Sequence, residues 1–223
     1  MPFTATPTAI ADAIVLEPKV FGDARGWFFE SYNERDFAAA TGVNAQFVQD
    51  NHSLSKKGVL RGLHYQTEQV QGKLVRVTSG AVFDVAVDLR ESSKSYGQWI
   101  GVELSAQNQK QLWIPPGLAH AFLVLSDEAQ FLYKTTDYWH AASEKSIVWN
   151  DPTLAIRWPD IGMEPLVNTK DQAGFAWAQA PKFAWTEYKV WKHNGISYLD
   201  EWDGHSKVMK MKVPMIFSNF YNR

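Results

Sequence analysis

Residues 59–90 constrain the fold more than any other segment, because apolar and polar side chains alternate along VLRGLHYQTEQVQGKLVRVTSGAVFDVAVDLR. Successive side chains of a β-strand point to opposite faces, so the alternation predicts strands over residues 59–66, 73–78 and 81–89. The Ser-Gly pair between the last two strands is typical of a tight turn. We therefore expect three consecutive strands in this segment.

The faces of these predicted strands bring ionisable groups together. Period two in the first strand groups Leu60, Gly62, His64 and Gln66 on one face, and Val59, Arg61, Leu63 and Tyr65 on the other. In the third strand Asp84 and Asp88 share a face, and the opposite face is wholly apolar. Carboxylates inside a sheet protein are costly unless they have partners or line a wet pocket. A pocket that holds His64, Lys73 and Asp84 would account for the pattern.

Strand patterns also dominate the rest of the chain. Further strands are predicted over residues 13–18, 96–104, 111–114, 119–125 and 130–136, with a strand or loop over residues 46–53. We expect a helix over residues 33–41, a short helix that begins at or after Thr169, and a loose arm over residues 1–13. Short strands at roughly 8 to 12 residue spacing favour an antiparallel sandwich or barrel. The predicted fold class is all-β, a jelly roll with a few short helices.

Composition and charge narrow the class of protein. The 223 residues, 45% hydrophobic and 21% charged, suit one globular domain or one domain with an appendage. A net charge of -2 gives no general attraction for nucleic acid or an anionic membrane. The absence of cysteine excludes disulfides and thiolate chemistry and fits a reducing compartment. With no long apolar run and no secretory leader in the sequence, we expect a cytoplasmic protein.

The sequence FGDARGWFFE at residues 21–30 places an arginine among aromatic residues and glycines. One interpretation is that Phe21, Trp27 and Phe28 pack in the core or in a hairpin. The other is that these rings and Arg25 clamp a planar, phosphorylated ligand, because guanidinium groups fit phosphate oxygens and ring faces stack on bases. The residues alone leave both interpretations open.

Several separated motifs resemble those of the dTDP-4-dehydrorhamnose 3,5-epimerase family. They are FGDARGWFFE at 21–30, RGLHYQ at 61–66, GKLVRV at 72–77, VFDVAVDLR at 82–90, PPGLAHAF at 115–122, FLYKTTDYW at 131–139 and KDQAG at 170–174. The likeness runs in order from about residue 14 to about residue 185. The resemblance implies a cupin-type double-stranded β-helix, a homodimer that exchanges an N-terminal strand, and no metal or organic cofactor.

The resemblance also implies a reaction on a dTDP-linked 4-keto-6-deoxyhexose, epimerised at carbons 3 and 5 through enolates in dTDP-L-rhamnose biosynthesis. His64 matches the base, a role that suits histidine because its unperturbed pKa is about 6.5. Asp171 matches the carboxylate that orients this imidazole. Lys73 matches the cation that meets the charge growing on the ketone oxygen. Tyr133 matches the acid on the other side of the sugar ring.

Further residues are assigned to substrate binding by the same resemblance. For the nucleotide end they are Phe21, Arg25, Phe28 and Glu30, with Gln49, Asn51 and Arg61 nearby. Tyr138 competes with Tyr133 for the acid role on sequence alone, and only the family match favours Tyr133. Tyr138 is then expected to contact the substrate.

His120 raises the hypothesis of a metal site. The sequence PPGLAH is shared with the second metal motif of metal-binding cupins, and histidine is a common metal ligand. The first such motif needs His-x-His with a nearby glutamate, and His64-Tyr65-Gln66 supplies only one of those ligands. We therefore expect no metal. His120 is predicted to lie in the substrate pocket near the base, with Asp84 as its supporting partner.

Two other functions stay open as alternatives. A catalytically silent sugar-binding jelly roll would need a pocket but no base and acid pair, so the presence of His64, Lys73, Tyr133 and Asp171 weighs against it. An epimerase that inverts only carbon 3 or carbon 5, or a ketoisomerase of a related nucleotide sugar, would use the same enolate chemistry. The sequence does not separate these enzymes.

The end of the chain departs from the family pattern. Residues 1–185 are predicted to form the cupin-like domain, and residues 186–223 form an aromatic-rich extension with an Asn-Gly turn at 194–195. Such a composition is too apolar for a solvated tail. We expect the extension to pack on the barrel or across the dimer, without a catalytic residue.

Overall fold

The computed structural model describes residues 3–184 and the strand backbones at 188–193, 196–202 and 207–213. The strands are β1 (Phe3–Pro7), β2 (Ile14–Pro18), β3 (Phe21–Asp23), β4 (Gly26–Phe28), β5 (Gln49–Lys56), β6 (Val59–Gln66), β7 (Lys73–Ser79), β8 (Ala81–Asp88), β9 (Trp99–Ser105), β10 (Gln111–Ile114), β11 (Leu118–Val124), β12 (Glu128–Thr135), β13 (Glu144–Ser146), β14 (Leu166–Val167), β15 (Tyr188–His193), β16 (Ile196–Trp202) and β17 (Lys207–Val213). The helices are α1 (Glu34–Thr41), a 3₁₀ helix (Ala141–Ser143) and α2 (Thr169–Gln172). None of these helices is long and apolar enough to cross a bilayer.

Two six-stranded sheets form the body of the fold. The first has the strand order β1-β2-β10-β7-β12-β5, and the second has the order β13-β6-β11-β8-β9, with β14 paired to β6. The two sheets share one apolar interior, to which Val75 and Leu112 contribute from the first sheet and Val82 and Phe122 from the second. The predicted all-β jelly roll is confirmed.

Each sheet also buries part of its outer face. Phe37 of α1 packs with Leu16 and Trp113 on the outside of the first sheet. On the outside of the second sheet, Val87 of β8 packs with Phe183 from the segment that follows β13. The wholly apolar face predicted for β8 is therefore covered by chain that comes later in the sequence.

Both predicted helices are confirmed, and each begins at an asparagine cap. The side chain of Asn33 accepts a hydrogen bond from the N–H of Asp36, and Gly42 ends α1 in the left-handed conformation with φ 74°. Asn168 caps α2 in the same way, at the N–H of Asp171. The short polar side chains around residues 33 and 168 thus determine where the helices start.

Two predicted elements differ from the structure. The strand predicted over residues 96–104 begins only at Trp99, because the preceding residues form turns in which the N–H of Tyr96 donates to the carbonyl of Ser93. The loose arm predicted over residues 1–13 is wrong for its described part, since β1 pairs antiparallel with β2 along its whole length. Local composition there was misleading because the pairing partner decides the conformation.

Asp88, one of the two carboxylates predicted on β8, has structural partners at the end of the strand. It accepts hydrogen bonds from the guanidinium of Arg90 and from the hydroxyls of Ser93 and Ser95, at distances between 2.6 and 2.8 Å. Arg90 also binds the carboxylate of Asp12. This buried network ties the N-terminal segment to the barrel, so Asp88 needs no pocket to satisfy its charge.

A β-bulge in β6 corrects the predicted strand faces. On β11, His120 pairs with His64 and Phe122 pairs with Arg61, so two residues of β6 stand opposite one of β11. His120 and Phe122 lie two residues apart and share a face, so Arg61 and His64 share one as well. The prediction that Arg61 and His64 lie on opposite faces is wrong, because strict period two does not survive an inserted residue.

Gly62 makes this bulge sterically feasible. It adopts φ +116°, and a Cβ at this position would meet the carbonyl oxygen of His120 and lie 2.6 Å from the Cβ of Ala121. A side chain would therefore be strained by its backbone conformation and also blocked by β11. Gly162 offers a comparison, because its φ is +73° but no atom lies within 4 Å of its added Cβ.

We predict that Gly62→Ala lowers the free energy of unfolding by at least about 3 kcal/mol, the sum of backbone strain and overpacking. Gly162→Ala should cost only roughly 1 kcal/mol, the backbone term alone. Denaturant unfolding of both variants measures the difference. Equal losses in the two variants would show that close packing at the bulge is unimportant.

The C-terminal extension contains an antiparallel sheet of three strands, β15-β16-β17. His193 at the end of β15 pairs with Ile196 at the start of β16. The predicted Asn-Gly turn at 194–195 lies outside the described residues. Whether the extension packs on the barrel or across a dimer stays a prediction.

Candidate active site

A cleft opens between the two sheets. Its lining residues come from β6, β7, β11, β12, β13 and the loops that follow β6 and β12, and they are His64, Tyr65, Gln66, Val70, Gln71, Lys73, Leu118, Tyr133, Trp139 and Glu144. The cleft therefore brings together His64, Lys73 and Tyr133, which lie on three different strands.

His64 lies on the inner side of β6 beyond the bulge, and a buried carboxylate holds its ring. Its Nε2–H donates to Oδ1 of Asp171 at 2.6 Å, while the other oxygen of Asp171 accepts from the backbone N–H of Gly62 at 3.2 Å. His64 is partly exposed, with 29% of its side-chain surface accessible, whereas Asp171 has none. This hydrogen bond leaves Nδ1 of His64 as the nitrogen that can accept a proton.

Asp171 stays ionised although it is buried. Burial raises the pKa of this carboxyl, but the hydrogen bond and charge of His64, with the Gly62 N–H, lower it further, so the net shift is downward. Its place in the first turn of α2, where Asn168 caps the helix, fixes the position of the carboxylate. The negative charge can therefore orient and stabilise a protonated imidazole.

Lys73 lies on the inner face of β7, the same face from which Val75 and Val77 point into the interior. Its side chain is buried, and burial lowers the pKa of its ammonium to about 8, although the carboxylates of Asp84 and Glu144 oppose the shift. No carboxylate within the described residues forms an ion pair with Lys73 at 4 Å or less. The ammonium is therefore available to a ligand in the cleft.

Tyr133 lies on the inner face of β12, two residues after the buried Phe131, and the two ring centroids are 6.1 Å apart. Burial raises the pKa of its phenol, and the negative charge of Glu144 raises it further, while Arg61 opposes the shift. The hydroxyl thus remains protonated at neutral pH. A protonated hydroxyl in the cleft is able to act as a proton donor.

His120 and Asp84 form a buried pair beneath the cleft. Nε2 of His120 lies 2.9 Å from Oδ2 of Asp84, and the imidazole stacks on Phe131 with centroids 5.9 Å apart. Burial raises the pKa of Asp84 and lowers the pKa of His120. The expected partnership of the two residues is present, but neither side chain is among those that line the cleft.

The residues assigned to the nucleotide end of the substrate do not line this cleft. Phe21 and Phe28 are 43% and 63% exposed on the β3–β4 hairpin, and Arg25 at its turn pairs with Asp23 at 2.6 Å. Glu30, which follows the hairpin, is partly buried. The rings of Phe21 and Phe28 are not part of the core, but the two residues pair across the β3–β4 hairpin, so the hairpin interpretation stands beside the ligand-binding one.

Gln49 and Asn51 lie on β5 beside β12, where Asn51 pairs with Tyr133. The side-chain amide of Gln49 donates to Oδ1 of Asn51 at 3.0 Å, and its oxygen accepts from the backbone N–H of Trp139 at 3.1 Å. The Nδ2 group of Asn51 is buried and has no hydrogen-bond partner within the described part of the chain. A buried donor without a partner is costly, so a ligand atom there would relieve it.

Arg61 and Tyr138 lie at the periphery. Arg61 is exposed, and its Nε donates to the hydroxyl of Ser55 at 3.1 Å. Tyr138 is 60% exposed and does not line the cleft, whereas its neighbour Trp139 does. This geometry favours Tyr133 over Tyr138 for a role inside the cleft.

Seven of the ten cleft residues were not among the predicted site residues, and Trp139 and Glu144 are two of them. Trp139 ends the motif FLYKTTDYW and could have been found by considering the whole motif. Glu144 belongs to a three-residue strand, β13, whose pairing with β6 brings it to the cleft. Nothing in the local sequence signals that pairing.

The arrangement supplies a base, a cation and an acid. His64 with Asp171 can accept a proton, Lys73 can stabilise a developing oxyanion, and Tyr133 can donate a proton. Among the described residues, no three His, Asp or Glu side chains converge closely enough to hold a metal ion. These groups suit proton transfer at a carbon next to a carbonyl.

The chain matches known proteins over most of its length. The family model for dTDP-4-dehydrorhamnose 3,5-epimerase matches residues 7–179. The dTDP-4-dehydrorhamnose 3,5-epimerase of Pseudomonas aeruginosa is 60% identical over 179 residues, which cover 80% of this chain and 98% of the relative. The enzyme of the same name from Escherichia coli is 60% identical over 153 residues, or 68% of this chain and 83% of the relative.

Solved structures show the same fold. A dTDP-6-deoxy-D-glucose-3,5-epimerase from Legionella pneumophila, in complex with dTDP-4-keto-L-rhamnose, superposes with a TM-score of 0.80 at 47% identity. The superposition covers 83% of this chain and 100% of that structure. A 3'-monoepimerase from Streptomyces bikiniensis in complex with dTDP-quinovose has a TM-score of 0.73 at 34% identity, with coverage of 77% and 87%.

Proposed function

The chain belongs to the dTDP-4-dehydrorhamnose 3,5-epimerase family, and from this membership and the cleft we propose that it inverts carbons 3 and 5 of dTDP-4-dehydro-6-deoxy-D-glucose. The product is dTDP-4-dehydro-L-rhamnose, a precursor for dTDP-L-rhamnose. The observation that carries the proposal is the meeting of the His64–Asp171 pair with Lys73 and Tyr133 in one cleft.

The proposed mechanism uses the acidity of hydrogens next to a ketone. Carbons 3 and 5 both flank the 4-keto group, so removal of either hydrogen gives an enolate. Nδ1 of His64 takes the proton while Asp171 stabilises the imidazolium, and the ammonium of Lys73 meets the charge on the ketone oxygen. Tyr133 returns a proton from the opposite side of the ring. Preorganised charge of this kind is typically worth roughly 3 to 4 kcal/mol in the transition state.

For the substrate and assembly, we propose that a dTDP-linked keto sugar is bound by a cytoplasmic homodimer. Phe21, Arg25 and Phe28 do not line the cleft of their own chain, and they lie on an exposed aromatic hairpin. Exposed aromatic clusters of this kind are typical of interfaces and ligand contacts. A second subunit whose hairpin reaches the cleft would give these side chains the nucleotide-binding role expected from the resemblance.

A single-position epimerase is the second candidate, because a 3'-monoepimerase is among the structural neighbours. The two activities differ in how many carbons exchange hydrogen with solvent. In deuterated water, proton NMR of the product should show deuterium at both carbon 3 and carbon 5, with a 4-keto reductase added as a trap. Deuterium at one carbon would favour the second candidate, and none would favour a silent binding protein.

We predict that variants of the base and the acid fail in different ways. His64→Ala should lose both epimerisation and hydrogen exchange by about 100 to 10,000-fold, because no enolate forms. Tyr133→Phe should still exchange hydrogen for deuterium faster than it inverts, since His64 can return a deuteron to the original face. Asp171→Asn should resemble a weakened His64→Ala. Deuterium incorporation and inversion are measured by NMR in the same samples.

The comparison of Tyr133→Phe with Tyr138→Phe provides the control for the acid. Tyr138 is exposed beside the cleft, so its variant should keep the wild-type ratio of exchange to inversion. If Tyr133→Phe lost exchange and inversion equally, Tyr133 would be a binding residue, and Tyr138 would be the next candidate.

We predict that kcat/KM falls above about pH 8, tenfold per pH unit. The ammonium form of Lys73 is the active one, and its pKa of about 8 means that this form is lost as the pH rises past that value. Tyr133 does not cause the limb, because burial raises its pKa. Lys73→Arg should remove the alkaline limb from whatever activity remains, since arginine stays charged. An unchanged limb in this variant would assign it to another group.

We propose that residues 186–223 form an appendage to the epimerase domain of residues 1–185, and we predict that its removal leaves catalysis intact. The family match ends at residue 179, and the cleft residues all precede residue 184. Deleting residues 188–223 should lower stability or weaken dimerisation but keep the kcat of the folded fraction. Thermal unfolding, light scattering and active-site titration test this. A well-folded but inactive truncation would contradict it.

A further inference from the structure

We propose that Glu144 is a positioning residue for the proton transfers: its carboxylate places negative charge at the cleft that favours the protonated forms of Lys73 and Tyr133, and Lys170 moderates that charge. The inference rests on the proposed function, because it concerns the same reaction. It adds a pair of residues, Glu144 and Lys170, to which the sequence motifs assign no catalytic or binding role.

The position of Glu144 follows from strand pairing. On the β13–β6 ladder, Glu144 pairs with Gln66 and Ser146 pairs with His64. Residues two apart on a strand share a face, so Glu144 lies on the same side of the sheet as His64 and Gln66. All three line the cleft. β13 therefore delivers a carboxylate to the edge of the cleft beside the base.

Lys170 holds this carboxylate from the other side. Its Nζ lies 2.5 Å from Oε2 of Glu144, and the side chains are 59% and 18% exposed, respectively. Lys170 precedes Asp171 in α2, so one short helix supplies the partner of Glu144 and the partner of His64. The ion pair thus links β13 to the helix that orients the base.

Charged and titratable groups face Glu144 from each neighbouring element: Lys170 from α2, His64 from β6, Lys73 from β7 and Tyr133 from β12. Burial raises the pKa of Glu144, but Lys170, His64 and a hydrogen bond from Trp139 lower it overall, so the carboxylate is ionised. The same charge raises the pKa of Lys73 and of Tyr133. Lys145, the other charged residue of β13, donates a hydrogen bond to the carbonyl of Ala142.

A purely structural role for the ion pair gives different expectations from an electrostatic one. If the pair only tethers α2, breaking it from either side should weaken the position of Asp171 and lower kcat in both variants. If Glu144 acts through its charge, removing the carboxylate and removing its neutralising partner have opposite effects on Lys73. The sign of the change therefore separates the two roles.

The experiment compares Glu144→Gln, Lys170→Met and the control Lys145→Met, each as the full chain. We expect Glu144→Gln to move the alkaline midpoint of kcat/KM down by about one pH unit, the lower end of the effect of one nearby opposite charge. Lys170→Met should move it up, and Lys145→Met should leave it unchanged. NMR titration of ¹³C-labelled lysine side chains should show the same opposed shifts for Lys73 without substrate.

Shifts in the same direction in both variants, or no shift, would overturn the inference. Lys170 is largely exposed, so Lys170→Met tests it even if Glu144→Gln folds poorly. The NMR titration does not depend on turnover. An inactive wild type with opposed lysine shifts would contradict the proposed function alone, whereas an active wild type without them would contradict only the role of Glu144.

Discussion

The site depends on one buried carboxylate, that of Asp171, which joins three parts of the chain. Its two oxygens bind different partners, the ring of His64 and the backbone N–H of Gly62. The first contact orients the proposed base, and the second anchors the bulge that turns His64 toward the interior. Because a buried carboxylate is costly without partners, each contact stabilises the other. The bulge, the short helix α2 and the imidazole of His64 are therefore one structural unit.

This unit shows why part of the site was predictable from the sequence and part was not. His64, Lys73 and Tyr133 lie in strands whose patterns were clear, and the motif resemblance named them together with Asp171. The bulge was not predictable, because it depends on how close Gly62 can come to β11. Glu144 was missed for a related reason: a three-residue strand carries no periodicity, and its place is decided only by pairing with β6.

The two carboxylates of β8 illustrate how one sequence pattern has two physical outcomes. Asp84 and Asp88 share a face of β8, and for both of them burial without a partner would be costly. Asp88 reaches the end of the strand, where Arg90 and two serines satisfy it. Asp84 lies deeper, pairs with His120 and contributes negative charge near Lys73. The alternation of side chains along β8 indicated that both carboxylates are buried. Only their positions along the strand determine which of them lies near Lys73.

The burial of Lys73 explains why acidic groups surround the cleft. Removing an ammonium from water costs several kcal/mol, and negative charge nearby must offset that cost. If Asp84 or Glu144 formed a close ion pair with Lys73, the ammonium would be stable but unavailable to a ligand. Instead each carboxylate has its own partner, His120 or Lys170, and acts on Lys73 from beyond ion-pair distance. The ammonium of Lys73 is thus stabilised enough to stay buried. An oxyanion that forms in the cleft is then the group that can approach it most closely. The two charges would interact strongly there, because charge interactions are stronger in buried surroundings than in water.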